Sequence, residues 1–361
     1  MKRSLRGFVK SQNLTLAIII LVGAVLLGVQ SGGGFLSPIS RTTFFTFLAV
    51  PILIGLAQMI TLAVGQLNLA VGSIGGFAAC FAGVAISSFG APPWVGALST
   101  LVVGALVGLL NGWLIVVTRI NGFIVTLATM TIFAGLQYAL VSTRTISSTQ
   151  WPEIYALGKS AVLGIPTIFW IALIVAGLVA FYFTHMIGGR RLLASGDNDH
   201  AALLAGISND RSVVVAHTLS GLLCGVAAFV TLASLSGVNQ SIGGDWLLPS
   251  FAAPIIGGVS LTGGSVAILG TVFAATIVRL VDSARAIFQL DPAWVNFVVG
   301  AVVLGSVALG RARQVRDARR AGAARAKATP AAATPAAVAL GPEASTGATL
   351  TVESATTRGT K

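Results

Sequence analysis

Long apolar runs separated by short polar intervals follow one another from Leu14 to about Leu309. A membrane-spanning helix needs about 20 apolar residues to cross about 30 Å of hydrocarbon, and these runs have that length. The pattern predicts ten spans, Leu14–Gln30, Thr43–Val64, Leu69–Phe89, Val95–Val117, Phe123–Ser142, Thr167–Ile187, Val213–Leu235, Pro249–Leu261, Gly264–Val281 and Ala293–Leu309. The expected fold is therefore all-α, a polytopic membrane helical bundle of about ten transmembrane helices.

The eighth predicted span differs from the others. It is short, lies between Pro249 and Gly263, and contains Pro254 and the pair Gly257 and Gly258. Lipid tolerates an interrupted helix only where neighbouring protein satisfies the freed backbone groups. We therefore expect a broken or re-entrant segment inside the bundle at this point.

Composition agrees with a membrane protein. The 361 residues are 55% hydrophobic and only 9% charged, with a mean hydropathy of +0.92, whereas soluble domains carry about 25% charged residues. Cys80 and Cys224 lie in apolar runs without a second ligand at metal spacing, so they are interpreted as buried packing thiols. The net charge is +12, and the charged residues lie at segment ends and in the tail. This distribution argues against nucleic-acid binding.

The distribution of Lys and Arg predicts the orientation. Cytoplasmic loops are enriched in these residues, and most of the 22 fall on one side if the N-terminus is inside. Both termini are then cytoplasmic: residues 1–12 form an N-terminal segment, 13–310 the transmembrane domain and 311–361 a tail. The tail lacks apolar periodicity and is expected to be disordered. The first span could be a secretory signal peptide, but no clear cleavage site follows it, which favours a retained helix.

One long polar interval interrupts the apolar pattern, residues 188–211, GGRRLLASGDNDHAALLAGISNDR. The predicted orientation places it in the cytoplasm. It carries a helix-like AALLAGI core, which is typical of a loop that docks against another protein. Without further motifs, a solvated loop with a short surface helix would explain it equally well.

No catalytic constellation is found in the sequence. A P-loop needs a glycine-rich run ending in Gly-Lys-Ser/Thr, and the Gly-Lys-Ser at Gly158 has Glu153 where the leading glycine belongs. H-E-x-x-H, C-x-x-C and G-x-S-x-G are all absent from the sequence. We therefore predict no catalytic residues, no metal site and no ATP hydrolysis by this chain.

Several segments, in matching order and spacing, resemble motifs of one family. They are Leu67–Ser73 (LNLAVGS for IDLSVGS), Phe123–Thr131 (FIVTLATMT for FIVTLGTMS), Gly188–Ile207 (for GRR-x-x-A-x-G-x-N-x-x-A-A-x-x-x-G-I), Leu219–Ala228 (LSGLLCGVAA for LSGLLAGLAG) and Ile255–Gly264 followed by Leu269–Thr271 (IIGGVSLTGG and LGT for VIGGTSLSGG-x4-LGT). On these motifs the chain resembles the permease subunits of ribose, arabinose and xylose type ATP-binding-cassette (ABC) importers. The resemblance extends from about Pro51 to Leu309.

The resemblance implies a role for the polar loop as the coupling helix, which sits in a groove of a separate ATPase subunit. The residues carried over to this role are Asn198, His200, Ala201, Ala202, Leu203, Leu204, Gly206 and Ile207. Asp199 and His200 stand where the family often has Glu and Pro. Leu203, Leu204 and Ile207 supply an apolar ridge, with small residues between them for close approach.

Substrate recognition requires polar side chains inside the bundle. The candidates for the substrate path are Gln58, Gln66, Asn68, Asn111, Gln137, Tyr138, Asn239, Gln240 and Asn296, and Asp245 and Trp246 form a further polar–aromatic pair. Polar residues in spans are often functional, although many only bond to neighbouring helices. The chain departs from the family motifs at Asn68, where the family has Asp, and at Ala70 and Ser265. Because a neutral amide replaces the carboxylate at Asn68, any role that depends on its charge is absent.

The resemblance implies a permease subunit for a monosaccharide or polyol in the bacterial cytoplasmic (inner) membrane. Its expected partners are an ABC ATPase subunit that uses ATP, a second permease copy in a homodimer, an extracytoplasmic substrate-binding protein and the lipid bilayer. The chain itself is expected to bind no cofactor.

Two alternatives remain open. Another small polar solute, such as a nucleoside or a furanone-type signal, would suit the same architecture. An ion-coupled secondary transporter would normally place carboxylates or His in mid-span, whereas His185, His200 and His217 are interpreted as lying at span ends or in the loop.

Overall fold

The computed structural model describes residues 2–289 and the single residues 297, 300, 301 and 305. In this part the helices are α1 (Lys2–Gln30), α2 (Pro38–Ala63), α3 (Val71–Phe89), α4 (Pro93–Thr118), α5 (Gly122–Val141), α6 (Pro152–Lys159), α7 (Thr167–His185), α8 (Ile187–Asp197), α9 (Asp199–Leu204), α10 (Asn209–Ser234), α11 (Leu247–Ile256) and α12 (Ile268–Phe288). Asn296, most of the predicted tenth span and the predicted disordered tail lie outside the described residues.

Four short strands complete the described structure. β1 (Ile146–Ser147) pairs antiparallel with β4 (Gly237–Val238), and β2 (Ala161–Val162) pairs antiparallel with β3 (Ile165–Pro166). Because each strand has only two residues, the pairs form no extended sheet and serve to hold neighbouring loop segments together. The predicted all-α class is confirmed as a mostly helical chain.

Seven of the described helices are long and apolar enough to cross a membrane, and they coincide with the first seven predicted spans. The eighth predicted span contains only the ten-residue α11. The ninth corresponds to α12, which carries Arg279, Asp282 and Arg285 in its second half. The total of about ten spans and the orientation of the termini stay predictions.

Helix α2 forms the centre of the bundle. Every residue from Ile52 to Ala63 is buried, so the helix is covered on all sides. A helix that is apolar all round is expected in such a position. It packs against α7, α10, α11 and α12, and therefore brings both halves of the chain into one core.

Helices α4 and α10 make the most extensive contact among the described helices. A Cβ added at Gly221 of α10 would meet the backbone of Gly104 and Gly108 of α4, with the Gly108 Cα 2.7 Å away. In lipid, small residues allow helix backbones to approach closely, which increases dispersion contacts. Close packing therefore requires glycine at these three positions. Helices α4 and α10 lie antiparallel against each other.

The bundle has two ends that we name by the helix found there. At the α9 end, the Gly264 N–H donates to the Ala63 carbonyl at 3.0 Å. There a Cβ at Gly196 would also touch Ala63. At the α6 end, Trp151 is fully buried and its Nε1–H donates to the Leu232 carbonyl at 3.2 Å. These contacts show which loops lie at the same end of the bundle, and this assignment does not depend on where a membrane would lie.

We predict that Gly221→Ala lowers the free energy of unfolding by about 1–3 kcal/mol, because a methyl group forces the α4 and α10 backbones apart. The measurement is the melting temperature of the purified chain in detergent. Gly135→Ala in α5 is the matched control, since no atom lies within 4 Å of the added Cβ and alanine is the better helix former. Equal melting temperatures for the two variants would refute close packing at Gly221.

Candidate functional site

Two unwound segments interrupt the bundle. The first, residues 64–70, joins α2 to α3, and the second, residues 235–246, joins α10 to α11. The second segment crosses the chain just after the first one ends, in the first turn of α3, where a Cβ on Gly72 or on Gly243 would strike the carbonyl oxygen of the other. Gly243 also has φ of +84°, a conformation that side chains with a Cβ disfavour. The crossing therefore needs glycine at both positions, and we call Gly72 and Gly243 the crossing glycines.

Each unwound segment carries an asparagine four residues before its crossing glycine. Asn68 Oδ1 accepts from the Ala70 N–H at 3.0 Å, and Asn239 Oδ1 accepts from the Ser241 N–H at 2.9 Å. Both side chains thus close a local turn on their own backbone, as asparagine commonly does. Asn68 also donates to Ser220 of α10 at 3.1 Å. These hydrogen bonds give Asn68 a structural role in holding the backbone, and this role requires no contact with a cargo.

A glutamine from a neighbouring helix satisfies the backbone of each segment. With the Gln58 amide assigned the orientation that satisfies both groups, its nitrogen donates to the Asn68 carbonyl at 2.8 Å and its oxygen accepts from the Asn68 N–H at 3.2 Å. The buried Gln137 Nε2 donates to three carbonyls of the second segment, those of Asn239, Gln240 and Ile242, at 3.0–3.3 Å. These side chains replace the helical hydrogen bonds that the unwound backbone lacks.

A cavity of about 410 Å³ opens beside the second segment. It is bounded by α2, the last turn of α10, the unwound residues, the start of α11 and α12. Its polar and aromatic lining includes Thr46, Phe47, Ser234, Asn239, Ser241, Asp245, Trp246, Arg279 and Asp282. Concave sites of roughly 300–1,000 Å³ with a few convergent polar groups are typical of small-molecule binding. This is the candidate cargo site.

Of the predicted path residues, Asn239 lines this cavity, and Gln137 acts behind it by holding the segment. Tyr138 faces outward, with 54% of its surface exposed, and Asn111 is fully buried with both amide atoms unpartnered in the described structure. Gln66 lies against Gly122 near the α9 end. The structure therefore brings Asn239 and the pair Asp245 and Trp246 to the cavity, with Gln137 behind them, and leaves Gln66, Asn111 and Tyr138 apart.

Arg279, Asp282 and Phe47 were missed as path residues by sequence reasoning. Arg279 interrupts an apolar run and is followed three residues later by Asp282. That spacing puts both side chains on one helix face, and a charged pair within a predicted span is the signal that could have identified them.

The polar loop contains two helices, α8 and α9, joined at Asn198. Asn198 caps α9 by accepting from the Ala201 N–H at 2.9 Å, which explains why a helix begins here. After α9, Gly206 has φ of +76° and ends the turn. The predicted helix is thus present, six residues long.

The predicted apolar ridge lies largely on the surface of α9. Leu203 is 63% exposed and Leu204 is 92% exposed, His200, Ala201 and Gly206 are also exposed, and Ile207 is half-buried. Ala202 is buried and faces the chain itself. Leu203 and Leu204 therefore present an uncovered apolar surface, as a docking helix requires.

Asn209 connects this loop to the bundle. Its Oδ1 accepts from the Ser195 hydroxyl of α8 at 2.9 Å, and its Nδ2 donates to the Asp199 carbonyl of α9 at 3.1 Å. Asn209 is itself the first residue of α10. Next to it, Arg119 forms a bidentate ion pair with Asp210 at 2.7 and 2.8 Å, which raises the pKa of the exposed Arg119 guanidinium. These contacts connect α8 and α9 to the α4–α10 pair.

A comparison with protein families decides the assignment of the chain. Residues 40–307 match the family model described as "Branched-chain amino acid transport system / permease component". The chain belongs to this family. It is accordingly a transport permease subunit and not an enzyme, and its apolar helices make it a multi-pass membrane protein.

Curated relatives resemble the chain over most of its length. The "Fructose import permease protein FrcC" of Rhizobium meliloti is 28% identical over 84% of this chain and 86% of its own. The "Autoinducer 2 import system permease protein LsrC" of Escherichia coli (strain K12 / DH10B) is 28% identical over 80% of this chain and 84% of its own. The protein of the same name from Yersinia pseudotuberculosis (serotype O:1b, strain IP 31758) is 28% identical over 80% and 82%. No solved structure matches the chain.

We predict that Gln137→Leu loosens the second unwound segment, because three carbonyls lose their donor. The free energy of unfolding should fall by about 1–3 kcal/mol, and amide hydrogen exchange over residues 239–246 should accelerate. Gln240→Leu is the control, since its side chain is exposed. Identical exchange in the wild-type chain and in Gln137→Leu would show that Gln137 does not hold the segment.

Proposed function

We propose that this permease subunit forms the transmembrane path for a monosaccharide or related polyol in an ABC importer of the bacterial inner membrane. A separate subunit would hydrolyse ATP, and an extracytoplasmic binding protein would deliver the cargo at the α6 end. A second copy of the chain would complete a homodimer. The α9 end would face the cytoplasm, as the distribution of Lys and Arg favours.

One observation carries this proposal: helix α10 connects the cavity to the exposed leucines. Its last turn contributes Thr231 and Ser234 to the cavity, and its first residue, Asn209, is hydrogen bonded to α8 and α9. A force applied to Leu204 would therefore reach the cavity through one continuous helix. Such a link is what an importer powered by a separate ATPase requires.

The cavity lining favours an uncharged cargo rich in hydroxyl groups. Amide, hydroxyl, carboxylate and guanidinium groups supply both donors and acceptors, and Phe47 and Trp246 supply aromatic faces. The name of the Rhizobium meliloti relative, a fructose import permease, agrees with this cargo class. The autoinducer-2 permeases support the second candidate, a furanone-type signal.

An ion-coupled transporter is less well supported. His217, which the sequence interpretation placed near a span end, lies two turns inside α10, fully buried, with both ring nitrogens unpartnered in the described structure. That interpretation was wrong. However, the described carboxylates of the spans are engaged elsewhere, Asp282 in the cavity and Asp210 with Arg119, so the described residues contain no carboxylate–His chain of the kind that proton relays use.

We predict that Leu204→Arg releases the ATPase subunit, because an exposed apolar contact becomes a charge that the partner's groove must desolvate. Tagged full-length chain is purified in mild detergent from native membranes, and the amount of copurifying P-loop ATPase is measured. A loss of about tenfold or more is expected, equivalent to about 1.4 kcal/mol of binding energy.

The matched control is Leu163→Arg, which changes an 88% exposed leucine at the α6 end. It should retain the ATPase at the wild-type level. If no ATPase accompanies the wild-type chain under conditions that preserve its fold, the importer assignment fails. If both variants retain it, α9 is not the docking element.

A further inference from the structure

The cavity contains one charged side chain whose hydrogen bonding is incomplete. Arg279 of α12 donates from Nη1 to Asp282 Oδ2 at 3.1 Å. Its Nε is buried and has no partner within the described part of the chain. Arginine has five N–H donors in a fixed fork, and a buried donor without a partner destabilises the fold. Nε itself is shielded, but Nη2 is not buried and makes no hydrogen bond to the described residues, so a ligand group that accepts from Nη2 would bind favourably.

Two aromatic rings fix the position of the guanidinium group. Its Cζ lies 5.3 Å from the centre of the Phe47 ring and 6.0 Å from that of Phe44, both on α2. Cation–π contacts within about 6 Å are attractive. Together with the ion pair, they limit the rotation of a side chain that is only 16% exposed. A donor fork held in this way is prepared for a ligand.

The charge of the lining selects the kind of ligand. Arg279 contributes one positive charge, whereas Asp245 and Asp282 contribute two negative charges, so an anion would meet net repulsion. A zwitterionic amino acid would need an unpaired cation for its carboxylate, but Arg279 is already paired with Asp282. Neighbouring hydroxyl groups on a neutral ring can donate to a carboxylate and accept from the guanidinium at the same time.

The size of the cavity fits one such molecule. A volume of about 410 Å³ corresponds to roughly a dozen water-sized groups at about 30 Å³ each. A hexose has twelve non-hydrogen atoms, and because bonded atoms each occupy less volume than a separate water molecule, one hexose fits this cavity with space left for water. Its ring can also cover the aromatic faces of Phe47 and Trp246, which line the same space.

We propose that Arg279, Asp282 and Phe47 form a monosaccharide-binding subsite within the permease itself. Arg279 donates to ring hydroxyl oxygens, Asp282 accepts from a hydroxyl group, and Phe47 lies against an apolar face of the ring. This inference deepens the proposed function and rests on it for the cargo class. It is tested independently of the ATPase.

The test is equilibrium binding of radiolabelled D-fructose to the purified full-length chain in lipid nanodiscs, up to millimolar concentrations. L-leucine and fructose 6-phosphate are measured in parallel. Arg279→Gln should weaken D-fructose binding about ten- to hundredfold, because a hydrogen bond from a charged donor is lost. Asp282→Asn and Phe47→Leu should each weaken it severalfold. Their melting temperatures show whether each variant is folded.

The control is Arg285→Gln, on the same helix six residues further along. Arg285 lines the adjacent cavity but not this one, so its replacement should leave binding unchanged. No saturable D-fructose binding to the wild-type chain, or equal binding by Arg279→Gln, would overturn the subsite. Preferential binding of L-leucine or of fructose 6-phosphate would overturn its chemical class.

These outcomes are distinguishable from failure of the proposed function. ATPase copurification with Leu204 intact tests the importer assignment without any cargo. A chain that keeps its ATPase but binds D-fructose equally well with and without Arg279 remains an importer permease whose subsite lies elsewhere. A chain that binds D-fructose through Arg279 but recruits no ATPase keeps the subsite and loses the importer assignment.

Discussion

The backbone of residues 235–246 is unwound inside an apolar bundle, and every group that it frees must find a partner within the protein. Gln137 supplies three hydrogen bonds, Asn239 closes a turn on the backbone, and β4 pairs with β1 at the α6 end. The first unwound segment obeys the same constraint through Gln58 and Asn68. Glycine stands at both contact positions, Gly72 in the first turn of α3 and Gly243 in the second segment, because a Cβ would separate the two backbones.

The cavity follows from this unwinding. Had α10 continued directly into α11, the space beside α2 and α12 would be filled by regular helix. Instead, α11 begins within the bundle at Leu247, and its unwound approach exposes Asn239, Ser241 and Asp245 to the cavity. Discontinuous helices of this kind occur at the binding sites of many transporters, where backbone and polar side chains line a cavity. Helix α10, packed against α4, connects this cavity to α9 at the other end of the bundle.

Much of this arrangement could be predicted from the sequence. Periodicity and length identify the first seven spans, and Pro254 with its neighbouring glycines indicates the broken eighth span. The AALLAGI core locates α9. The cavity could not be predicted, because Arg279 and Phe47 lie on helices far apart in the chain and meet only through tertiary packing. For the same reason, sequence cannot separate Asn68, which holds backbone, from Asn239, which also lines the cavity.

The account depends on a cavity that is reached from outside the cell while the α9 end faces the cytoplasm. Thiol labelling with a membrane-impermeant reagent tests this directly, since Cys80 and Cys224 are both buried. Ser241→Cys, in the cavity, should react in intact cells, and Leu261→Cys, beyond α11 towards the α9 end, should react only after permeabilisation. The reverse pattern, or protection of Ser241→Cys from both sides, would contradict the account.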